Sequence, residues 1–129
     1  MNQALDVFLI EDSPILRAQL IEILQEIEGI NVVGHAEDET TAISNLAAVK
    51  SDVAIVDLEL KSGSGVGVLV ALQRDPGRYH YTTPIVLTTH SNPSIKRTCE
   101  QLGARAFFDK AMQMEELIQF VEAARRSTN

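Results

Sequence analysis

The sequence is short of the residues on which several common protein classes depend. It holds one cysteine, Cys99, so it has no disulfide framework and none of the paired thiols of a structural zinc site. It has no tryptophan, and its two tyrosines and four phenylalanines are too few for a base-stacking platform. Basic residues number 11 against 18 acidic ones, and the net charge of −7 repels polyanions, which argues against direct nucleic-acid binding. Unbroken apolar runs reach only four or five residues, as in Val7-Phe8-Leu9-Ile10, far below the roughly 20 of a membrane-spanning helix. The N-terminal stretch carries Asp6, Glu11 and Asp12 with no basic flank, unlike a secretory signal, so a cytoplasmic location is expected. Internal repeats and low-complexity tracts are missing as well.

What is present is alternation. With 129 residues, 45% hydrophobic and 22% charged, the chain has the size and composition of one globular domain. The apolar run Asp6 to Ile10 has strand length, and Ser13-Pro14 then pairs a capping residue with a first-turn proline. Leu16, Leu20, Ile23, Leu24 and Ile27 recur on one helical face before Gly29 ends that helix. A second strand is expected from Ile30 to Ala36, followed by a helix capped by Asp38 with Ile43, Leu46 and Ala47 inward. Val53 to Val56 forms the third strand, and Gly63-Ser64-Gly65 leads into a helix through Leu69, Val70 and Leu72 that Asp75-Pro76-Gly77 breaks. Ile85 to Leu87 is a fourth strand, Asn92-Pro93 opens a helix closed by Gly103, and Ala106 to Phe108 is a short fifth strand. The last helix aligns Met114, Leu117, Ile118 and Val121. Five strands alternating with five helices predict an α/β fold, a doubly wound parallel sheet with helices on both faces.

In such sheets ligands bind beyond the carboxyl ends of the strands, where the strand order reverses. Those ends carry Glu11 and Asp12, then Asp57, then Thr88, Thr89 and His90, and finally Asp109 and Lys110. Each has a plain structural explanation: Asp12 or Ser13 as a helix cap, Thr89 as a β-branched strand residue, Lys110 as a solvated lysine. Capping does not explain Asp57, which the glycine turn separates from the next helix. Clustered carboxylates repel one another unless a cation joins them, and an oxygen-only set suits magnesium. Magnesium, a lysine and a hydroxyl suit a phosphoryl group, and an aspartate can accept one as an acyl phosphate. Asp57 is the candidate acceptor.

The acidic pair Glu11-Asp12, the run Val53-Ala54-Ile55-Val56-Asp57, Pro84 to Thr89 and Gly103 to Lys110 together resemble the receiver domain of bacterial two-component response regulators. The resemblance covers about residues 6–125, making 1–129 a single receiver domain. It implies a flavodoxin-like strand order 2-1-3-4-5. It also implies that Asp57 is phosphorylated by a histidine kinase or phosphotransfer protein with Mg2+. Asp12 then matches the direct metal ligand, Glu11 its partner, and the backbone carbonyl of Glu59 a further contact. Thr89, five residues past Pro84, matches the switch hydroxyl, with Thr88 beside it as the other candidate. Lys110 matches the lysine that pairs with phosphoryl oxygens, and Phe107 the aromatic that reports the switch. Phosphorylation would bias the face of the fourth helix, fifth strand and fifth helix for a partner or a homodimer. Such a domain is a regulatory phosphoacceptor, not an enzyme, save for loss of its own phosphoryl group.

Several residues depart from the family pattern. Lys61 stands where proline is common, and Ala111 replaces the proline that often follows the lysine, so a trans bond and a different loop are expected there. His90 takes the place of a small residue and either crowds the phosphate entrance or points to solvent. Glu59 either redirects attacking water or is simply solvated. A haloacid-dehalogenase-type phosphohydrolase is disfavoured because Asp57-Leu58-Glu59 breaks the required Asp-x-Asp. A pseudo-receiver that only binds proteins is the remaining rival. Cys99 reads as a core residue, Arg78 to Tyr81 as an exposed loop, and Phe120 as an exposed residue hinting at the output face. The chain ends where an output domain would attach.

Overall fold

A computed structural model describes residues 4–89 and 91–127. The elements run β1 (Leu5–Ile10), α1 (Pro14–Gln25), β2 (Ile30–Ala36), α2 (Glu39–Ala48), β3 (Val53–Val56), α3 (Gly65–Arg74), β4 (Thr83–Thr88), α4 (Pro93–Gln101), β5 (Ala106–Asp109) and α5 (Met114–Arg126). All neighbouring strands pair in parallel, in the order β2-β1-β3-β4-β5. This is the flavodoxin-like order, and it reverses at β1 and β3, which puts the binding crevice at the ends of those two strands.

The central strands β1, β3 and β4 are largely apolar on both sides because both sheet faces are covered there, whereas the edge strand β2 exposes Asn31 and His35. Leu5, Val7 and Leu9 of β1 join Ile55, Ile85 and Leu87 against Leu20 and Leu24 of α1 and Leu117 and Val121 of α5. The alternate residues Phe8 and Ile10 join Ala54 and Val56 against Ala42 and Leu46 of α2 and Val68 and Leu72 of α3. Val86 packs with Leu69 and Cys99, so Cys99 of α4 is a core residue, as its helical position suggests. Local chemistry sets the boundaries. The side chains of Ser13, Asp38, Ser64 and Asn92 cap α1, α2, α3 and α4 by accepting amide hydrogens of the first turn.

Two sequence expectations fail, one on each face of the sheet. The stretch from Arg78 to Tyr81 is not simply an exposed loop: Pro76–Tyr79 forms a 3₁₀ turn that inserts Tyr79 into the core beside Phe8 and Leu72. The periodicity stops at Asp75, so no pattern marks Tyr79 as buried. His80 and Tyr81 then adopt left-handed backbone, with φ of 59° and 58°, which returns the chain to β4. Phe120 is half-buried and packs edge-on against Phe108, with ring centroids 5.8 Å apart. The helical stripe alone misplaces it because Phe108, on the outermost strand, widens the buried face of α5.

Tyr79→Ala is therefore expected to lower the unfolding free energy by about 3 kcal/mol, as other large core truncations do. Tyr81→Ala, at a side chain 77% exposed, should change it by less than about 0.5 kcal/mol. Urea denaturation of both variants checks this; equal effects would mean that the 3₁₀ turn does not carry Tyr79 into the core.

Candidate functional site

The sheet ladder continues one residue past the strands and places the key side chains. Glu11 N–H donates to Ala36 O (3.0 Å), Asp57 N–H to Ile10 O (3.0 Å), and Lys110 N–H to Thr88 O (3.0 Å). Three segments far apart in sequence are thus held side by side at the carboxyl edge. Glu11 and Asp57 are only 1% and 3% exposed, and Asp12 is half-buried. Carboxylate oxygens of these three residues lie within 4.8 Å of one another. Ser13 caps α1, so the helix does not account for the Asp12 carboxylate.

Lys110 binds the cluster together. Its Nζ lies 2.7 Å from Glu11 Oε1 and 2.7 Å from Asp57 Oδ2. The remaining oxygens are engaged by backbone: Glu11 Oε2 accepts from Ser13 N–H (3.0 Å), and Asp57 Oδ1 from Glu59 N–H (3.2 Å). Burial pushes the Glu11 carboxyl above its ordinary pKa, and the nearby Asp57 charge adds to this, against the opposing pull of Lys110 and the Ser13 amide. Burial pulls Lys110 down, but its hydrogen bonds and charge pairing with Asp57 and Glu11 outweigh this, and its pKa is raised. One ammonium among three carboxylates leaves negative charge in excess, in a pocket of oxygen donors only, which is the donor chemistry of a hard divalent cation.

The loops around the cluster are fixed by other contacts. Arg17 Nη1 donates to Glu11 O at 2.8 Å and lies 3.9 Å from Glu37, which in turn pairs with Lys61 at 3.4 Å. Gly65 is required because a Cβ there would overlap the Asp57 carbonyl oxygen. Beyond Lys110, the Asp109 carboxylate accepts from Ala111 N–H (2.8 Å) and Met112 N–H (3.2 Å), shaping the turn where proline is common. No peptide bond among the described residues is cis, in line with the expectation for Ala111. The second Asp109 oxygen accepts from Ser91 Oγ, and the Ser91 hydroxyl and the two amides hold Asp109 below the ordinary aspartate range.

Thr88 is fully buried in β4 opposite Asp109, whereas Thr89 is exposed one residue beyond the strand. Phe107 lines a cavity of about 330 Å³ with Ser91, Asn92, Pro93, Lys96 and Gln113, on the side of α4 and β5. Glu59 is exposed in the loop after Asp57. His90 lies outside the described residues. Sequence reasoning missed Arg17, Glu37 and Ser91: each contacts the site only through the folded loops, and no spacing marks them. A larger cavity of about 640 Å³, bordered by Leu5, Val53 and Thr83, lies at the opposite edge of the sheet and holds none of these groups.

The family model for the response regulator receiver domain matches residues 7–122. The chain belongs to the response-regulator receiver family. Curated relatives include the transcriptional regulatory protein RcsB of Escherichia coli, 34% identical over 94 residues that cover 70% of this chain and 42% of that protein. A protein-glutamate methylesterase/protein-glutamine glutaminase of Vibrio vulnificus is 29% identical over 135 residues, covering 88% of this chain and 38% of that protein. The chain thus spans about two-fifths of the length of these relatives. Among solved structures, the receiver domain of NarL from Mycobacterium tuberculosis superposes with a TM-score of 0.84 at 25% identity, covering 97% of this chain and 98% of that one. RcsB from Salmonella enterica, bound to a promoter in the presence of the phosphomimetic BeF3−, gives 0.83 at 28% identity over 96% of this receiver and 61% of that chain.

Removing the ammonium tests the electrostatics of the receiver site. Lys110→Ala should destabilise the fold by about 3 kcal/mol, the cost of leaving buried charge unpaired. A carboxyl whose folded pKa is raised favours the fold most when protonated, and that contribution is lost as pH rises through the folded value. The deficit of the variant should therefore be larger at pH 8 than at pH 5, as read from paired urea titrations. A deficit independent of pH would mean that Glu11 does not depend on Lys110.

Proposed function

We infer that this receiver domain accepts a phosphoryl group on Asp57, and the observation that carries this is the shared Lys110 contact. A buried carboxylate at a sheet edge, paired with a lysine and flanked by two further carboxylates, has the parts that aspartyl phosphorylation needs. Glu11, Asp12 and Asp57 fit Mg2+ as an all-oxygen donor set, with the backbone carbonyl of Glu59 as a further ligand. When bound, the metal supplies charge neutralisation for the phosphoryl oxygens and leaving group.

The chain's own residues do the rest. An Asp57 carboxylate oxygen attacks phosphorus, a P–O bond forms, and the P–N bond to the histidine of a kinase or phosphotransfer protein breaks, the imidazole departing with the electron pair. Lys110 releases part of its hold on Asp57 and pairs with a phosphoryl oxygen. Asp57 itself is almost fully buried, which limits water around the acyl phosphate. Its slow hydrolysis returns the carboxylate, so the domain is a phosphoacceptor with at most self-dephosphorylation. Exposed Ile15 at the start of α1 and exposed Met112 after Lys110 offer apolar contacts for a donor protein on either side of the site.

The new charge draws the Thr89 hydroxyl inward. Thr89 suits this role because it is exposed beyond β4, while Thr88 is locked within the strand. The vacated space admits Phe107, whose ring borders the cavity between α4 and β5, and the face of α4, β5 and α5 changes its affinity for a partner, a second copy or an output domain. The domain spans 1–129 and works in the cytoplasm.

Incubation with acetyl phosphate or phosphoramidate and Mg2+ should add one phosphoryl mass to the intact protein. The adduct should be missing from Asp57→Asn and from samples without Mg2+. A folded native protein that gains no mass contradicts this function and leaves the protein-binding pseudo-receiver in its place.

A further inference from the structure

The loop that follows Asp57 is held from the side by a residue that belongs to neither β3 nor α3. Glu39, the first residue of α2, accepts from Ser64 N–H through Oε1 at 2.9 Å, and its own N–H donates to Ser62 O at 3.0 Å. Lys61 N–H donates to Glu37 O at 3.3 Å beside it. The carboxylate lies in a recess made by two glycines. A Cβ on Gly63, whose φ is 78°, would come within 2.7 Å of Glu39 Oε1, and a Cβ on Gly67 would overlap the carboxylate itself. Both glycines thus keep open the space that Glu39 fills.

From Ser64 the restraint passes to the acceptor in two steps. Ser64 forms an antiparallel bridge with Glu59, and Gly65 N–H closes the same loop on Leu58 O at 3.0 Å. Glu59 N–H then donates to Asp57 Oδ1 at 3.2 Å. The backbone of Glu59 is the part of this loop that faces the acceptor, and its placement depends on Ser64.

We propose that Glu39 is a positioning residue for the phosphoacceptor site, holding the loop at 58–64 so that the backbone of Glu59 stays against Asp57. This rests on the receiver function proposed above. Glu39 acts by the geometry of an accepting oxygen and not by its charge: it touches the backbone of the loop and reaches Asp57 only through it. Residues that orient a metal site in this way commonly change metal affinity by roughly 10–100-fold when removed.

The test measures Mg2+ affinity by calorimetry, together with amide hydrogen exchange at Glu59 and Ser64 in metal-free protein. Glu39→Ala should weaken Mg2+ binding by roughly tenfold and speed exchange at both amides. Glu39→Gln, which keeps an accepting oxygen, should remain within about threefold of native. Gly67→Ala should reproduce the Glu39→Ala defect by displacing the carboxylate, although alanine is the better helix former and the variant should fold at least as well. In the double variant the Gly67 change should have no further effect, since the group it displaces is gone.

Native affinity and exchange in Glu39→Ala overturn the proposal. So does a Glu39→Gln defect as large as that of alanine, which would assign the effect to charge, or additive defects in the double variant. A native protein that binds no Mg2+ removes the receiver function and this proposal together, whereas native binding with an unaffected Glu39→Ala removes this proposal alone.

Discussion

The site depends on one ammonium placed between two buried carboxylates. Lys110 meets Glu11 and Asp57 at 2.7 Å each, and those groups come from β1, β3 and β5, which are not all neighbours in the sheet. Without that cation, the C-terminal edge would concentrate negative charge where the fold has removed most water. With it, the edge is held together yet still carries more negative than positive charge. The interaction therefore secures the resting fold and also leaves the site suited to a cation and a phosphoryl group. Glu11, disfavoured as an anion by burial, marks how finely that balance is set.

The rest of the fold serves to bring this lysine and these acids to one edge. The apolar strands, packed on both faces, set the register, and the ladder then fixes each functional residue immediately beyond a strand end. Around that rigid base, loop contacts made by Arg17, Glu39, Ser91 and Asp109 set the finer geometry. The substitutions at Lys61 and Ala111, where the family often has proline, are accommodated by such contacts: Lys61 joins the loop bearing Glu37, and Asp109 shapes the turn at Ala111.

The architecture and the acidic cluster were legible in the sequence because both follow from periodic or end-of-strand signals. Uninterrupted apolar strands, capping residues at Ser13, Asp38, Ser64 and Asn92, and acids directly after strands are local features. The strand order itself came from family resemblance, since alternation alone permits other orders. Tyr79 was not legible, because it is buried by a single 3₁₀ turn outside any helical stripe, nor was Phe120, whose burial depends on Phe108 of another element. The same holds for Arg17, Glu37 and Glu39: as charged residues at helix starts and loops they look solvated in one dimension, and their partners, backbone atoms for Arg17 and Glu39 and the side chains of Arg17 and Lys61 for Glu37, are brought close only by folding.

The most direct measurement is a crystal structure of the protein with Mg2+ and the phosphomimetic BeF3−. If Lys110 and the three carboxylates form a phosphoryl site, the fluoroberyllate will be attached to an Asp57 oxygen, with Lys110 Nζ within hydrogen-bond distance of a fluorine. The metal will then sit among Glu11, Asp12 and Asp57, and Thr89 will have turned toward the adduct. A structure in which Asp57 carries no fluoroberyllate and Lys110 keeps both of its original carboxylate contacts would contradict a phosphoacceptor role.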